Sequence, residues 1–102
     1  MSNSKFRKRL GRCYQLSGRK ILGSCEGFLI HGSIQGFGHP SISHAWVEGS
    51  QGVWEPVTDE WYTPEIFGVL FSVRMDRRYS AEEACMLMAA TKHFGPWNLE
   101  EQ

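Results

Sequence analysis

Cys13, His44 and Glu55 are the residues of this 102-residue chain whose types and order suggest covalent chemistry. A cysteine nucleophile needs a base within hydrogen-bond reach, and that base needs a group that orients it. Cys13 is expected at the start of a helix, where free N–H groups and the helix dipole favour the reactive thiolate. His44 supplies the base, and Glu55 supplies a carboxylate that holds the imidazole tautomer. The order predicts nucleophilic catalysis by Cys13.

A predicted β-hairpin brings the histidine and the acid together. Residues 49–52 (Gly-Ser-Gln-Gly) indicate the turn, between strands over residues 43–48 and 53–57. Counted outward from this turn, Glu55 becomes a diagonal neighbour of His44 on the same sheet face. The hairpin therefore places a carboxylate beside the candidate base.

A second acid, Asp59, is the alternative to Glu55. It lies just beyond the end of the returning strand. Acidic side chains are mostly exposed in folded proteins, so the interpretation without a catalytic role is that either residue is a solvated carboxylate. The sequence leaves the choice between these two acids open.

Two strings in the hairpin resemble a known family. His-Ala-Trp-Val-Glu at residues 44–48, and Val-Trp-Glu-Pro at residues 53–56, resemble the histidine and acid strands of the transglutaminase-like (papain-like) cysteine superfamily. Arg-Cys-Tyr before a helix resembles the nucleophile helix of that family, and the order Cys, His, acid is the same. The resemblance covers residues 13–56, under half of the chain, and Glu55 stands where the family usually has Asp.

The resemblance implies a function and a substrate class. The family uses its triad for acyl transfer or amide-bond hydrolysis, so protease, isopeptidase, deamidase and transglutaminase-like activities are all expected candidates. By resemblance Cys13 is the nucleophile, His44 the base and Glu55 the orienting acid. The implied substrate is a peptide or protein acyl or amide group, with no cofactor. The alternative is an inactive binding module of the same fold that holds a small molecule or peptide.

Four residues near the predicted triad are candidates for substrate contacts: Tyr14, His39, Trp46 and Trp54. The aromatic residues are as readily explained by packing in the core and hairpin. His39 lies in a predicted Gly- and Pro-containing loop over residues 36–40, where it can line a cleft. His31, within an apolar strand, is interpreted as a hydrogen-bonded core or cleft histidine.

The distribution of charge limits the partners. Lys plus Arg and Asp plus Glu both number 11, so the net charge is zero, which argues against a dedicated nucleic-acid binder.

A basic segment over residues 1–11 is expected to be flexible, with a single domain over residues 12–97 and an acidic tail over 98–102. No apolar run approaches the ~20 residues that span a bilayer, and no secretory signal is present, so the expected location is the cytoplasm.

Cysteine and glycine patterns give no cofactor or metal site. Three cysteines, an odd number without C-x-x-C spacing, argue against a disulfide framework and a structural zinc. The Gly-Phe-Gly at residues 36–38 precedes no predicted helix, so it does not form a phosphate loop.

The elements that must position these residues predict an α+β domain. It has a small, mostly antiparallel sheet with an N-terminal nucleophile helix and a C-terminal helix packed on it. The first predicted helix covers residues 12–22, and Gly18 within it is expected to mark close packing. The second covers residues 81–94; Ser80 and Glu83 form a capping box at its start, and Gly95-Pro96 ends it. The predicted strands cover residues 28–35, 43–48, 53–57 and 69–75, with residues 58–67 as a loop or short helical turn.

Overall fold

A computed structural model describes residues 9, 11–36 and 39–97. Over these residues the chain forms three helices and a five-stranded antiparallel sheet of strand order β4-β3-β2-β1-β5. The elements are α1 (Cys13–Ser24), β1 (Phe28–Gly36), β2 (His39–Gly49), β3 (Gly52–Glu55), β4 (Glu60–Tyr62), α2 (Pro64–Phe71), β5 (Arg74–Ser80) and α3 (Ala81–Thr91). The predicted α+β class with an antiparallel sheet is confirmed at this level. Nearly all of the predicted basic segment, residues 1–8 and 10, and the predicted acidic tail, 98–102, lie outside the described residues.

Helices cover both faces of the sheet because β1 is apolar on both faces. Leu29 packs in one hydrophobic cluster with Ile21 of α1 and Met88 of α3. Its neighbour Ile30 points the other way and packs in a second cluster with Phe67 of α2. Successive side chains of a strand alternate between faces, so one strand serves both clusters.

The β2–β3 hairpin has the predicted turn and register. Gly49 pairs with Gly52, and Val47 pairs with Trp54 as the last pair away from the turn. Glu55 follows one position beyond that pair. The sequence-based placement of the acid next to the histidine strand is therefore confirmed.

Close packing at Gly18 of α1 is also confirmed. A Cβ at this position would lie 2.6 Å from Cδ1 of Phe94 and 3.0 Å from Sδ of Met88. Only a residue without a side chain lets α1 approach α3 and the segment after it this closely. The helix runs two residues past its predicted end and closes at Cys25, which is in the left-handed region with φ 57°.

The predicted strand over residues 69–75 is wrong in its first half, because residues 69–71 complete α2. The Thr63 side chain accepts a hydrogen bond from the Ile66 N–H at 3.2 Å, and Pro64 occupies the first turn. These are helix-start signals, and they outweigh the alternating apolar pattern. The segment over residues 58–67, predicted as a loop or short helical turn, therefore contains β4 and the first half of α2.

The strand that follows α2 begins and ends later than predicted. Asp76, Arg77 and Arg78, which follow the predicted strand over residues 69–75, lie within β5, which runs over Arg74–Ser80. This strand forms one edge of the sheet. Charged residues are common on edge strands because they discourage pairing with another chain.

The predicted loop over residues 36–40 is shorter than expected. Gly36 belongs to β1, and β2 already begins at His39, with which Gly36 pairs. Among the described residues, β3 pairs with β2 only at residues 47–49. The start of β2 therefore has no described neighbour on that side, and a proline at position 40 is tolerated there.

The last helix begins as predicted and ends earlier. The N–H of Glu83 donates to Oγ of Ser80 at 3.1 Å, and the N–H of Ser80 donates to Oε1 of Glu83 at 2.9 Å, which completes the capping box. The helix ends at Thr91, before the expected stop at Gly95-Pro96, because Lys92 adopts the left-handed conformation with φ 62°. Within the described part of the chain, no helix is long and apolar enough to cross a bilayer.

Candidate active site

Cys13 is the first residue of α1, as the sequence predicts. Arg12 is the N-cap residue and makes no side-chain capping bond, and the first turn contains no acidic residue. The N–H groups of the first turn and the dipole of the helix therefore favour a negative charge at this end. The Cys13 side chain is buried, with the residue 6% exposed.

His44 lies on β2 and contacts both Cys13 of α1 and Glu55 at the end of β3. It is 1% exposed and stacks on Trp46, with ring centroids 6.2 Å apart. Backbone pairing between β2 and β3 begins only at Val47, so no described strand lies against this side of β2 at His44. The imidazole makes side-chain hydrogen bonds with both Cys13 and Glu55.

Glu55 is the last residue of β3 and is completely buried. Its Oε2 contacts Nε2 of His44, and its Oε1 accepts a hydrogen bond from the N–H of Thr58 at 2.7 Å. Both carboxylate oxygens thus have a partner, which offsets the cost of burying the group. Since Nε2 of His44 is engaged by Glu55, Nδ1 is the nitrogen left to exchange a proton with Cys13.

Asp59, the alternative acid, is used elsewhere. Its Oδ1 accepts a hydrogen bond from Nε1 of Trp54 at 3.1 Å and lies 3.8 Å from Nη2 of Arg9. The structure therefore brings Glu55 to His44 and engages Asp59 with the indole and the guanidinium.

The partners of His44 control its protonation. Burial lowers the pKa of a histidine, but the hydrogen bonds with Cys13 and Glu55, and the negative charges of both, raise the pKa of His44 from 6.5 to about 9. The imidazole is consequently protonated at neutral pH. It can donate one proton toward Cys13 while its other nitrogen stays bound to Glu55.

Tyr14 follows Cys13 on α1. Its hydroxyl hydrogen-bonds Ser43 of β2, and its ring meets the ring of His31 edge-on, with centroids 4.7 Å apart. Burial, and next the charge of Cys13, raise the pKa of Tyr14. A substrate contact by Tyr14 stays a prediction.

Of the other predicted substrate contacts, the two tryptophans are buried and the side chain of His39 is not described. Trp46 and Trp54 are 2% and 4% exposed and pack in the two hydrophobic clusters, Trp46 directly against His44. His39 is the first residue of β2, and its side chain lies outside what the structure describes. A substrate contact by any of these residues stays a prediction.

His31 belongs to a separate aromatic cluster on the opposite face of the sheet from His44. Its ring lies between those of Tyr14, Tyr79 and Trp97, with centroid distances of 4.7, 5.1 and 5.1 Å. It is buried as predicted, but its Nε2 has no hydrogen-bond partner among the described residues. Burial lowers the pKa of His31 to about 4.

Sequence reasoning missed two residues at the site. Thr58 was treated as loop, and its N–H holds Glu55. Arg9 was assigned to a flexible segment, and its side chain contacts the turn after Glu55. Neither has a local signal, because a backbone donor in a turn and an arginine near a terminus occur in most chains.

No group of three or more His, Cys, Asp or Glu side chains among the described residues could hold a metal ion. All three cysteines are free, with Cys25 exposed and Cys85 partly buried.

No protein-family model, curated protein or solved structure was found to match this chain.

Proposed function

We propose that the protein catalyses cysteine-dependent acyl transfer or amide-bond hydrolysis, with Cys13 as nucleophile, His44 as acid and base, and Glu55 as orienting carboxylate. One observation carries the proposal: a single buried imidazole is hydrogen-bonded to both Cys13 and Glu55, which come from different elements. A thiol, a base and an oriented acid in contact are the parts that nucleophilic catalysis needs.

The proposed reaction has two steps. A protonated His44 beside Cys13 favours the thiolate, which attacks the carbonyl carbon of an acyl or amide substrate. His44 gives its proton to the departing amine or alcohol as the carbon–heteroatom bond breaks, leaving a thioester on Cys13. Neutral His44 then takes a proton from water or from a second amine as that nucleophile attacks the thioester. The carbon–sulfur bond breaks, the carboxylic acid or new amide is released, and the Cys13 thiolate is restored beside protonated His44. Glu55 holds the imidazole in place throughout.

The helix terminus supports the charge that develops on the substrate oxygen. The backbone N–H of Cys13 is a donor at the N-terminus of α1, where the helix dipole also favours a negative charge. The side chain of Gln15 instead accepts a hydrogen bond from Nε of Arg12 at 3.0 Å. We therefore assign this support to backbone groups.

The proposed family is the transglutaminase-like superfamily. The arrangement that supports this is a cysteine at a helix start, a histidine on one strand of a hairpin and an acid on the other. The corresponding substrate is a peptide or protein acyl or amide group, and no cofactor is part of the proposal.

A thiol modification experiment tests the proposal with an internal control. Cys25 is exposed and lies outside the site, so exposure alone makes it the faster cysteine to react with iodoacetamide. An activated Cys13 reacts faster than Cys25 below pH ~8.5, the pKa of a free thiol. His44→Ala is expected to reverse that order, as read by mass spectrometry of the folded protein.

Acylation is the second readout. With p-nitrophenyl acetate, Cys13 is expected to form an acetyl thioester that hydroxylamine removes, with release of p-nitrophenolate. Cys13→Ser and Cys25→Ser are the matched pair, and only the first should abolish the burst. A burst retained in Cys13→Ser, together with Cys13 slower than Cys25 in alkylation, contradicts the enzyme proposal.

A binding module is the second candidate, and the 6% exposure of Cys13 is the observation that favours it. A thiol closed off from solvent is the arrangement expected of an inert site. Absence of thioester in the acylation experiment, with equal ligand binding by the wild type and Cys13→Ser, would favour this function.

A further inference from the structure

The side chain of Arg9 is bound to the turn that follows Glu55. Its Nε donates a hydrogen bond to the carbonyl oxygen of Pro56 at 2.5 Å, and its Nη2 lies 3.8 Å from Oδ1 of Asp59. The guanidinium carbon also lies 5.8 Å from the ring centroid of Trp54. The Arg9 side chain is 19% exposed and the Asp59 side chain 37%, so the guanidinium is largely covered while the carboxylate is partly open to water.

The same turn holds the carboxylate of the proposed triad. The N–H of Thr58 donates to Oε1 of Glu55 at 2.7 Å, and the N–H of Asp59 donates to the Glu55 carbonyl oxygen at 2.8 Å. A shift of this turn would move the carboxylate that contacts His44.

Arg9 is also tied to the helix that carries Cys13. Its carbonyl oxygen accepts a hydrogen bond at 3.1 Å from the N–H of Arg12, the N-cap residue of α1. Arg9 therefore joins the chain just before Cys13 to the turn just after Glu55.

We propose that Arg9 is a positioning residue for the Cys13–His44–Glu55 site, holding the acid turn and the nucleophile helix at a fixed separation. The planar guanidinium suits this role because it offers several donors in a rigid fork, whereas a lysine ammonium is a single point charge. The catalytic consequence rests on the proposed function, while the effect on His44 does not.

The sign of a pKa change separates positioning from simple electrostatics. Removal of a nearby positive charge would raise the pKa of His44, because the protonated imidazole would lose a repulsion. Loss of positioning would weaken the contact with Glu55 and lower that pKa instead. The imidazole resonances of His44 followed by NMR against pH report the direction.

We expect Arg9→Ala to lower the pKa of His44 from about 9 toward 6.5. Alkylation of Cys13 at neutral pH should slow about 10-fold or more, since displacements of ~1 Å cost up to ~100-fold in rate. Arg9→Lys retains the charge and should restore only part of both effects. If Arg9→Ala does not fold, Arg9→Lys decides the question, because its charge is unchanged and a wild-type profile would overturn the proposal.

Arg78→Ala is the matched control. Arg78 also contacts a carboxylate, with its Nε 3.1 Å from Oε1 of Glu48, and its guanidinium carbon lies 3.6 Å from the ring centroid of Phe28. It touches no residue of the proposed triad in these contacts, so the pKa of His44 and the rate of Cys13 should stay at wild-type values.

Three results overturn the inference: a folded Arg9→Ala with wild-type titration and rate, an upward shift of the His44 pKa, or an equal loss in Arg78→Ala. Failure of the proposed function has a different signature. In that case Cys13 of the wild type reacts no faster than Cys25, while the effect of Arg9 on the titration of His44 is still measurable.

Discussion

The imidazole of His44 and the carboxylate of Glu55 meet beyond the last paired residues of the β2–β3 hairpin. Both groups are almost completely removed from solvent. Because the hairpin register sets their relative position, a short stretch of local sequence builds the base and acid half of the site. The thiol is supplied by Cys13 of α1, through a contact between elements that are distant in the chain.

Glu55→Gln should lower the pKa of His44 and slow acylation of Cys13. The amide keeps an oxygen for the N–H of Thr58 but loses the negative charge beside His44, so the pKa of His44 should fall from about 9. We expect acylation of Cys13 to slow by at least about 100-fold, the usual scale for a general acid–base contribution. NMR titration and the p-nitrophenolate burst measure the two effects.

Glu48→Gln is the control for this variant, because Glu48 lies on the same strand as His44 and pairs with Arg78. It should leave both measurements unchanged. A fall in the His44 pKa in Asp59→Asn, without one in Glu55→Gln, would instead assign the orienting role to Asp59.

Gly18→Ala should destabilise the fold. The new methyl group would lie 2.6 Å from the Phe94 ring, and overpacking of this kind costs about 1–3 kcal/mol. The better helix propensity of alanine returns up to about 1 kcal/mol, so the net effect is a loss. The free energy of unfolding in urea measures it.

Gly23→Ala provides the opposite expectation in the same helix. A Cβ there meets nothing within 4 Å, so propensity alone should stabilise the protein by up to about 1 kcal/mol. Equal effects of the two substitutions would contradict the close packing of α1 against Phe94.

His31 should make stability fall in mild acid. Burial holds the pKa of His31 near 4 in the folded state, whereas the unfolded chain takes up the proton near 6.5. The stabilisation is therefore complete above about 6.5 and is lost as the pH falls toward about 4. The neighbouring phenols of Tyr14 and Tyr79 have raised pKa values and stay neutral in this range.

Unfolding free energies of the wild type and His31→Phe across this pH range test the prediction. The variant lacks the titrating group, so its curve should be flatter regardless of its absolute stability. Parallel curves would show that His31 does not contribute.

His44 should have the opposite pH dependence. Its pKa is raised to about 9 in the folded state, so its stabilisation is complete below about 6.5 and is lost as the pH rises through about 9. His44→Gln removes this dependence. If urea unfolding shows the same loss above neutral pH in the wild type and in the variant, the raised pKa is not a property of the folded site.

Local patterns in the chain predicted the parts of the molecule that short-range interactions control. The hairpin turn at residues 49–52 sets the strand register, and the Ser80–Glu83 capping box sets the start of α3. Each depends on residues a few positions apart, so composition and spacing were sufficient. The pairing of Glu55 with His44 follows directly from that register.

Apolar periodicity was an ambiguous guide where strand and helix compete. Residues 69–75 alternate as a strand would, yet Thr63 and Pro64 start a helix that carries through residue 71. Burial of Phe67 and Phe71 against the sheet then stabilises the helical arrangement. The outcome depends on a packing partner that this stretch of sequence does not contain.

Contacts between distant elements complete the site, and these are outside the reach of local patterns. The approach of Cys13 to His44 and the binding of Arg9 to the turn after Glu55 both join segments from different parts of the chain. Spacing indicates which residues are chemically able to act together. Their actual contact depends on the two hydrophobic clusters, which determine how α1, the sheet and the turn pack together. Burial of apolar side chains acts between surfaces whatever their separation in the sequence, so local patterns do not reveal it.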